Sequence, residues 1–481
     1  MRKQDYLVQL IHSLTPNEKK HFRQILEGSD SRKSYGKLFD VLQKANHYDA
    51  DAVSRVLKKS KKNLADDKEY LQEILLRSLH QLHSNSLPKA KVFAGLIEGD
   101  ILANKGLVEF ALAHIRKLKK GILPFDENVL YYLALAQEVV LVRASIPGGL
   151  KYNDWIQNST DELVRRLESL IVNVKLVNIG IELQGLSADV RYITSKEVQD
   201  KAAALVKEVN ELVREKALPS VSFISYHHLL SGYYFFLGID TRRSIYHAEQ
   251  MYERYMSETE QYRLFHYRNL YLIYTNRLQA YFELREFEKV ETSIQDLKEY
   301  IDAGIPSEMI IKAKMRIFTF TILLDTATGK HTEALQFIQD SQDTFIKLRP
   351  SHEQTAVVNL LKAINLFHLQ RNHEALSELL PLLTTDAPPQ LPETRISARA
   401  LNLMIQYEIG NLASLPNYLR AAKRFFINEE LMTKEVKLFL DLMRHLHKHG
   451  AKAPLAAFQK NFEAVYDAHR FEIIGYFVIW P

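Results

Sequence analysis

Gly106-Leu107-Val108-Glu109-Phe110-Ala111-Leu112-Ala113-His114-Ile115-Arg116-Lys117-Leu118 carries the pattern on which the fold reading depends. It holds a turn residue, an apolar residue two positions on, a small residue three further, and apolar residues four and seven after that. The pattern returns as Arg285-Phe287-Val290-Ile294-Leu297, Gly329-His331-Ala334-Ile338-Ser341, Gln370-Asn372-Ala375-Leu379-Leu382 and Gly410-Leu412-Leu415-Leu419-Ala422. The small-residue slots at Val290, Ala334, Ala375 and Leu415 lie 44, 41 and 40 residues apart. A unit of this length built from two helices cannot bury its own apolar face and must stack on its neighbours. The sequence therefore predicts an all-α chain, more than about 70% helical, arranged as an α-solenoid of degenerate helical hairpins. Such an array presents a surface for binding.

From residue 92 the hairpins fall at about 92–121, 127–176, 177–216, 221–258, 261–303, 307–347, 352–385, 393–426 and 431–475. Pro147 to Asp154 reads as a polar connection within the second, and the proline-rich Ala387–Pro392 separates two later ones. In 92–124, Gly95, Gly99 and Leu102 fall on the first helix, Ala111, Ile115 and Leu118 on the second, and Pro124 at the exit. This stretch resembles a tetratricopeptide repeat (TPR), in which small residues let paired helices approach. The later units resemble lengthened, degenerate copies, with Tyr274, Leu278, Tyr281, Ala363 and Leu366 in first-helix core slots.

Residues 1–91 read as a separate, basic helical segment. Thr15-Pro16-Asn17-Glu18 is a helix start, with Thr15 as N-cap and Glu18 placed to close a capping box. A long helix is expected near 64–83, with Tyr70, Leu71, Ile74, Leu75, Leu79 and Leu82 at helical spacing. With its Leu14–Phe22 opening, LTPNEKKHF, followed by degenerate repeats, the chain is similar to a group of bacterial TPR-like proteins. That resemblance implies a fold and a binding role, and brings no catalytic residues with it.

Composition narrows the chemistry. The 481 residues are 46% hydrophobic and 25% charged, with only 17 glycines and 14 prolines to interrupt helices. The absence of cysteine excludes disulfides, thiol catalysis and cysteine-ligated metal sites. The first ten residues do not read as a secretory signal, and no uninterrupted apolar run approaches the roughly 18 to 20 residues of a bilayer span. A cytoplasmic protein is expected. Charge is uneven: residues 1–91 hold 18 Lys and Arg against 11 Asp and Glu, although the whole chain is only +5.

No Walker-type or G-x-G-x-x-G phosphate loop is present. His352-Glu353 and His373-Glu374 each begin like a zinc-protease helix but lack the second histidine. His445 and His449 are four apart and could share a helix face; together with Lys448 and the stop at Gly450 they read instead as a helix C-terminus. No cofactor, metal or catalytic constellation is assigned.

Eleven of the 24 tyrosines lie between Tyr226 and Tyr281, interspersed with His227, His228, Arg263, Arg268, Asn276 and Arg277. Most sit at core spacing; the remainder suit a peptide groove. The expected function is a non-catalytic scaffold that binds a peptide or protein on the concave face made by the first helices of residues 221–426. Its expected contacts are Tyr267, Arg268, Tyr271, Asn276 and Arg277. The alternative is a nucleic-acid-binding regulator contacting phosphate through Arg55, Lys58, Lys59, Lys61 and Lys62, with repeats that sense a ligand. No glycine-containing turn marks a helix-turn-helix there. The apolar tail, including Ile473, Ile474, Tyr476, Phe477 and Trp480, is expected to pack on the last hairpin.

Overall fold

The structure, a computed structural model, describes residues 6–26, 33–44, 49–84, 88–123, 128–145, 150–188, 196–214, 216–236, 240–302, 307–384, 392–429, 431–432 and 434–449. Among these there are 23 helices and no strand, and 89% of the described residues are helical. The tail and most of the expected last hairpin lie outside the described residues. The chain divides into two compact units, residues 1–123 with 127–166, and 124–126 with 167–481.

In the first unit, α1 (Tyr6–Ser13), α2 (Pro16–Leu26), α3 (Lys33–Lys44), α4 (Ala50–Leu57) and α5 (Lys61–His83) share one core. Its centre holds Ile11, Phe22, Leu38, Phe39, Leu42, Leu64, Leu71 and Leu75. The capping box that starts α2 is formed. Thr15 N donates to Glu18 Oε2 at 2.6 Å, and Glu18 N donates to Thr15 Oγ1 at 3.3 Å. The other Glu18 oxygen accepts from His83 at 2.8 Å, which ties α2 to α5. Then follow α6 (Pro88–Asn104), α7 (Val108–Ile122), α8 (Asn128–Ser145) and the start of α9 (Leu150–Ala188). The glycines of α6 permit its close approach to α7. A Cβ at Gly99 would meet Ile115 Cδ1 at 2.6 Å, and one at Gly95 would meet Leu118 Cδ1 at 2.9 Å.

The second unit continues α9 and adds α10 (Lys196–Val213), α11 (Ser220–Phe236), α12 (Thr241–Ser257), α13 (Glu260–Phe265), α14 (Tyr267–Glu283) and α15 (Phe287–Asp302). Beyond these lie α16 (Ser307–Ala327), α17 (His331–Asp340), α18 (Gln342–Lys347), α19 (His352–His368), α20 (Asn372–Leu383), α21 (Pro392–Glu408), α22 (Leu415–Asn428) and α23 (Lys434–His449). From α14 onward each long helix packs on the next. The alternate helices α14, α16, α19, α21 and α23 also touch in series.

The five pattern segments share one turn. Gly106, Arg285, Gly329, Gln370 and Gly410 all adopt left-handed backbone, with φ of 79°, 59°, 77°, 59° and 75°. Each closes the preceding helix with the same two hydrogen bonds. In the first copy Leu107 N donates to Leu102 O at 3.0 Å, and Gly106 N donates to Ala103 O at 2.9 Å. The pairs Glu286–Tyr281 with Arg285–Phe282, Lys330–Asp325 with Gly329–Thr326, Arg371–Leu366 with Gln370–Phe367, and Asn411–Gln406 with Gly410–Tyr407 repeat it. This is the Schellman motif, which satisfies two orphan carbonyls and reverses the chain. The small-residue slots Ala111, Val290, Ala334, Ala375 and Leu415 are all fully buried. The earlier slot is less regular: Leu412 is exposed and His331 half-buried.

Several boundaries differ from expectation. The break expected between 176 and 177 is absent, because α9 runs without interruption to Ala188. Residues 150–154, read as connection, already belong to that helix; it has no glycine or proline until Gly180, so nothing stops it earlier. A six-residue helix, α13, precedes α14, capped where Thr259 Oγ1 accepts from Tyr262 N at 3.1 Å. The second helix of hairpin 307–347 is split at Ser341 into α17 and α18. Although no uninterrupted apolar run is long enough, Asn153–Leu186 is by length and mean hydropathy long and apolar enough to cross a membrane.

Candidate binding face on α11, α12 and α14

The tyrosine-rich stretch becomes α11, α12, α13 and α14; four of its eleven rings are core and six more pack half-buried against it. Tyr255, Tyr262, Tyr274 and Tyr281 are buried, whereas Tyr246 is 57% exposed. Burial holds the Tyr255 and Tyr274 phenols well above their ordinary range.

Arg277 anchors a polar network rather than presenting a free guanidinium. Its Nε donates to Glu249 Oε1 on α12 at 2.9 Å, and its Nη1 lies 3.4 Å from Asp296 Oδ2 on α15. The guanidinium sits 4.1 Å above the Tyr252 ring, a cation–π contact. Tyr281 donates its hydroxyl to the same Glu249 oxygen. Burial, with that bond to Glu249 and its charge, pushes Tyr281 up to about 12. Burial also raises Asp296, against the pull of Arg277. Residues 28 and 19 positions from Arg277 thus converge on one cation and fix α12, α14 and α15 relative to one another.

Asn276 is similarly engaged, with Nδ2 donating to His228 Nδ1 on α11 at 2.9 Å. Burial lowers the His228 pKa, which favours the neutral ring, the form that can accept this bond. Tyr267 gives its backbone carbonyl to the Tyr300 hydroxyl at 2.8 Å, and Tyr271 packs in the α14–α16 core. Arg268 is exposed, 6.0 Å from the Tyr267 ring centroid. The five expected contacts therefore share one helix but not one face. Arg268 reaches solvent, with Leu272 beside it at 37% exposure, while Asn276 and Arg277 hold neighbouring helices.

A histidine pair adjoins this layer. His227 Nδ1 and His247 Nδ1 are 2.9 Å apart, so one ring donates to the other. Tyr234 stacks on His247 at 5.6 Å, and Arg243 lies over Tyr234. Burial and His247 push His227 down to about 4; burial and Arg243 do the same to His247. The partners Glu249 and His247 were not singled out from the sequence, because no spacing rule links residues on different helices. Among the described residues no group of three His, Asp or Glu side chains converges to hold a metal.

The basic run is divided in the same way. Lys59 Nζ is bound to Asp67 at 2.5 Å, and Arg55 Nε donates to Asp51 O at 3.2 Å. Lys58 and Lys62 are exposed, and Lys61 opens α5. No glycine stands there, but a left-handed turn forms: the eight-residue α4 ends at Leu57 and is capped by Lys58, whose φ of 53° is the left-handed conformation usually given to glycine, and α5 starts three residues after Lys58. A lysine takes that backbone at a cost of about 1–2 kcal/mol, which explains why composition did not reveal the turn.

Comparison with known proteins gives no family: no family model matches the chain, and no curated protein is significantly similar to it.

Proposed function

We propose that the repeat array expected over residues 92–481 is a TPR-like α-solenoid that acts as a non-catalytic scaffold in the cytoplasm, holding a peptide or protein partner against the first-helix face of residues 221–426. The observation that carries this reading is the fivefold recurrence of one Schellman turn followed by one fully buried slot. A unit repeated in this way favours nearest-neighbour stacking and an extended binding surface. On α14 the solvent-facing Arg268 and Leu272 are the contacts, while Asn276 and Arg277 hold α14 to α11, α12 and α15. The test is capture of partners by the intact chain and by Arg268→Glu/Leu272→Asp. The reading expects partners to be lost at an unchanged melting temperature; retention of the same partners would remove α14 from the surface.

A second reading has one observation in its favour, the short left-handed turn at Lys58 between α4 and α5, which a helix-turn-helix would also need. Against it, the exposed side of α5 carries Asp66, Glu69 and Glu73, which repel phosphate. A mobility shift of the intact chain on duplex DNA, weakening steeply with salt and lost in Lys58→Glu/Lys62→Glu, would favour this reading over the scaffold.

A further inference from the structure

Helix α9 carries two apolar stripes within the second unit, and its own fold uses only one. Val172, Leu176, Ile179 and Leu183 are buried against Ala202, Val206 and Val209 of α10 and Leu229 and Leu230 of α11. Asn173 on that side accepts a hydrogen bond from Ser225 at 3.0 Å. The other stripe, Leu167, Ile171, Val174 and Ile181, is 38%, 55%, 49% and 61% exposed. A contiguous row of large aliphatic side chains in water marks a docking surface. A bilayer does not fit it well, since the opposite side of the same helix is already packed on protein and the stretch carries Lys175 and Glu182.

The spacing identifies the occupant. Residues 167, 171, 174, 178 and 181 follow alternating steps of four and three, the a and d positions of a heptad, with Asn178 at one a position. The flanks then decide orientation. One edge carries Glu168, Lys175 and Glu182, the other Leu170 and Val177. A parallel pair sets each edge against its opposite, so Leu170 meets Lys175 and Val177 meets Glu182. An antiparallel pair sets like edge against like edge. With Ile171 opposite Val174 of a second copy, Glu168 faces Lys175 and Leu170 faces Val177, each twice by symmetry. Neither Glu168 nor Lys175 has an ion-pair partner among the described residues of its own chain. The same register puts Leu167 opposite Asn178, and further out sets Glu182 against Asp161, a like-charge pair that confines the seam to about two heptads.

We propose that this protein self-associates through α9 as an antiparallel, two-fold symmetric pair, with Ile171 and Val174 at its centre and Glu168–Lys175 ion pairs fixing its direction. A shared patch that complements itself is the commonest form of closed assembly. Sedimentation equilibrium of the full chain across the micromolar range should show a monomer–dimer equilibrium. Ile171→Glu, at an exposed position, should abolish the dimer and leave the circular dichroism unchanged. Glu168→Lys and Lys175→Glu should each weaken it about tenfold, and the two together should restore it, because each exchanged pair is again complementary. A monomer at every concentration overturns the proposal. So does a dimer that survives Ile171→Glu, or a double reversal no better than either single one. Flotation of the monomer with phosphatidylcholine vesicles, lost in Ile171→Glu, would assign the stripe to lipid and overturn it equally.

Discussion

Two layers of the second unit are built differently. Around α19 the contacts are almost wholly apolar: Leu361, Ala363, Ile364, Leu366 and Phe367 share one cluster with Ala375, Leu379 and Leu382. The buried Asn365 is fully served there, with Nδ2 donating to the likewise buried Thr326 Oγ1 and to Leu361 O and Oδ1 accepting from His331. Around α14 apolar packing is joined by a polar network, in which Glu249, Tyr281 and Asp296 bind Arg277 or one another and the Arg277 guanidinium lies over Tyr252. Apolar packing asks only for about the right volume, so it tolerates exchange. A polar network demands particular partners at particular distances and is costly when half-made. The α19 layer supplies cohesion; the α14 layer fixes how three helices are set.

That contrast can be broken most sharply at Arg277. Arg277→Ala leaves Glu249 and Asp296 facing each other without a cation and should cost about 3 kcal/mol in chemical denaturation. Replacing Arg277 by Met together with Glu249 by Leu should recover most of it, because an apolar pair needs no counter-charge. If the single variant is silent, the α14 layer is no more specific than the α19 layer.

In the apolar layer the sensitive feature is volume. Ala375→Leu, at a fully buried slot, should destabilise by about 2 kcal/mol through overpacking, whereas Leu379→Met should cost less than about 1.5 kcal/mol. Equal losses would show that this layer, too, is tightly specified.

A smaller effect separates the turns that both layers close with a non-glycine residue from the glycine turns that alternate with them. Arg285 and Gln370 adopt the left-handed backbone that Gly329 and Gly410 adopt without strain. Arg285→Gly and Gln370→Gly should each stabilise by up to about 1 kcal/mol, and Gly410→Ala should destabilise by about the same. Thermal melts that move in the opposite sense would mean that the turn residue is held by its side chain.

The smallest effect is on pH dependence. His227 and His247 are pushed down to about 4 in the folded chain, below an unfolded value near 6.5. Between those values the unfolded chain binds more protons, so this contribution is full above about pH 6.5 and is lost as pH falls toward 4. His247→Phe should flatten the stability profile over that window. Glu18 in the first unit is lowered below its ordinary value: partial burial raises it, but the Thr15 and His83 hydrogen bonds outweigh that. Its contribution is present above the unfolded carboxyl range and is lost as pH falls through the lowered value. Glu18→Gln should therefore change the acid limb below the histidine window.

The sequence by itself determined the helices and their reversals. A turn residue, a buried small residue five positions later and the apolar spacing after it all act within one hairpin, where 3.6-residue geometry relates sequence distance to position. The same locality made the Thr15–Glu18 capping box and the close-approach glycines Gly95 and Gly99 legible. It failed where a local conformation was held against preference, as at Lys58, and where an uninterrupted helix was read as two, as in α9. Only the tertiary structure decided which polar side chains are spent on the fold and which remain at the surface. Arg277 and Arg268 look alike in a sequence. One is largely buried and bound by Glu249 and Asp296, brought to it from other helices, and the other lies at the exposed surface. Such pairings depend on the relative placement of packed helices, which no spacing along a single chain encodes.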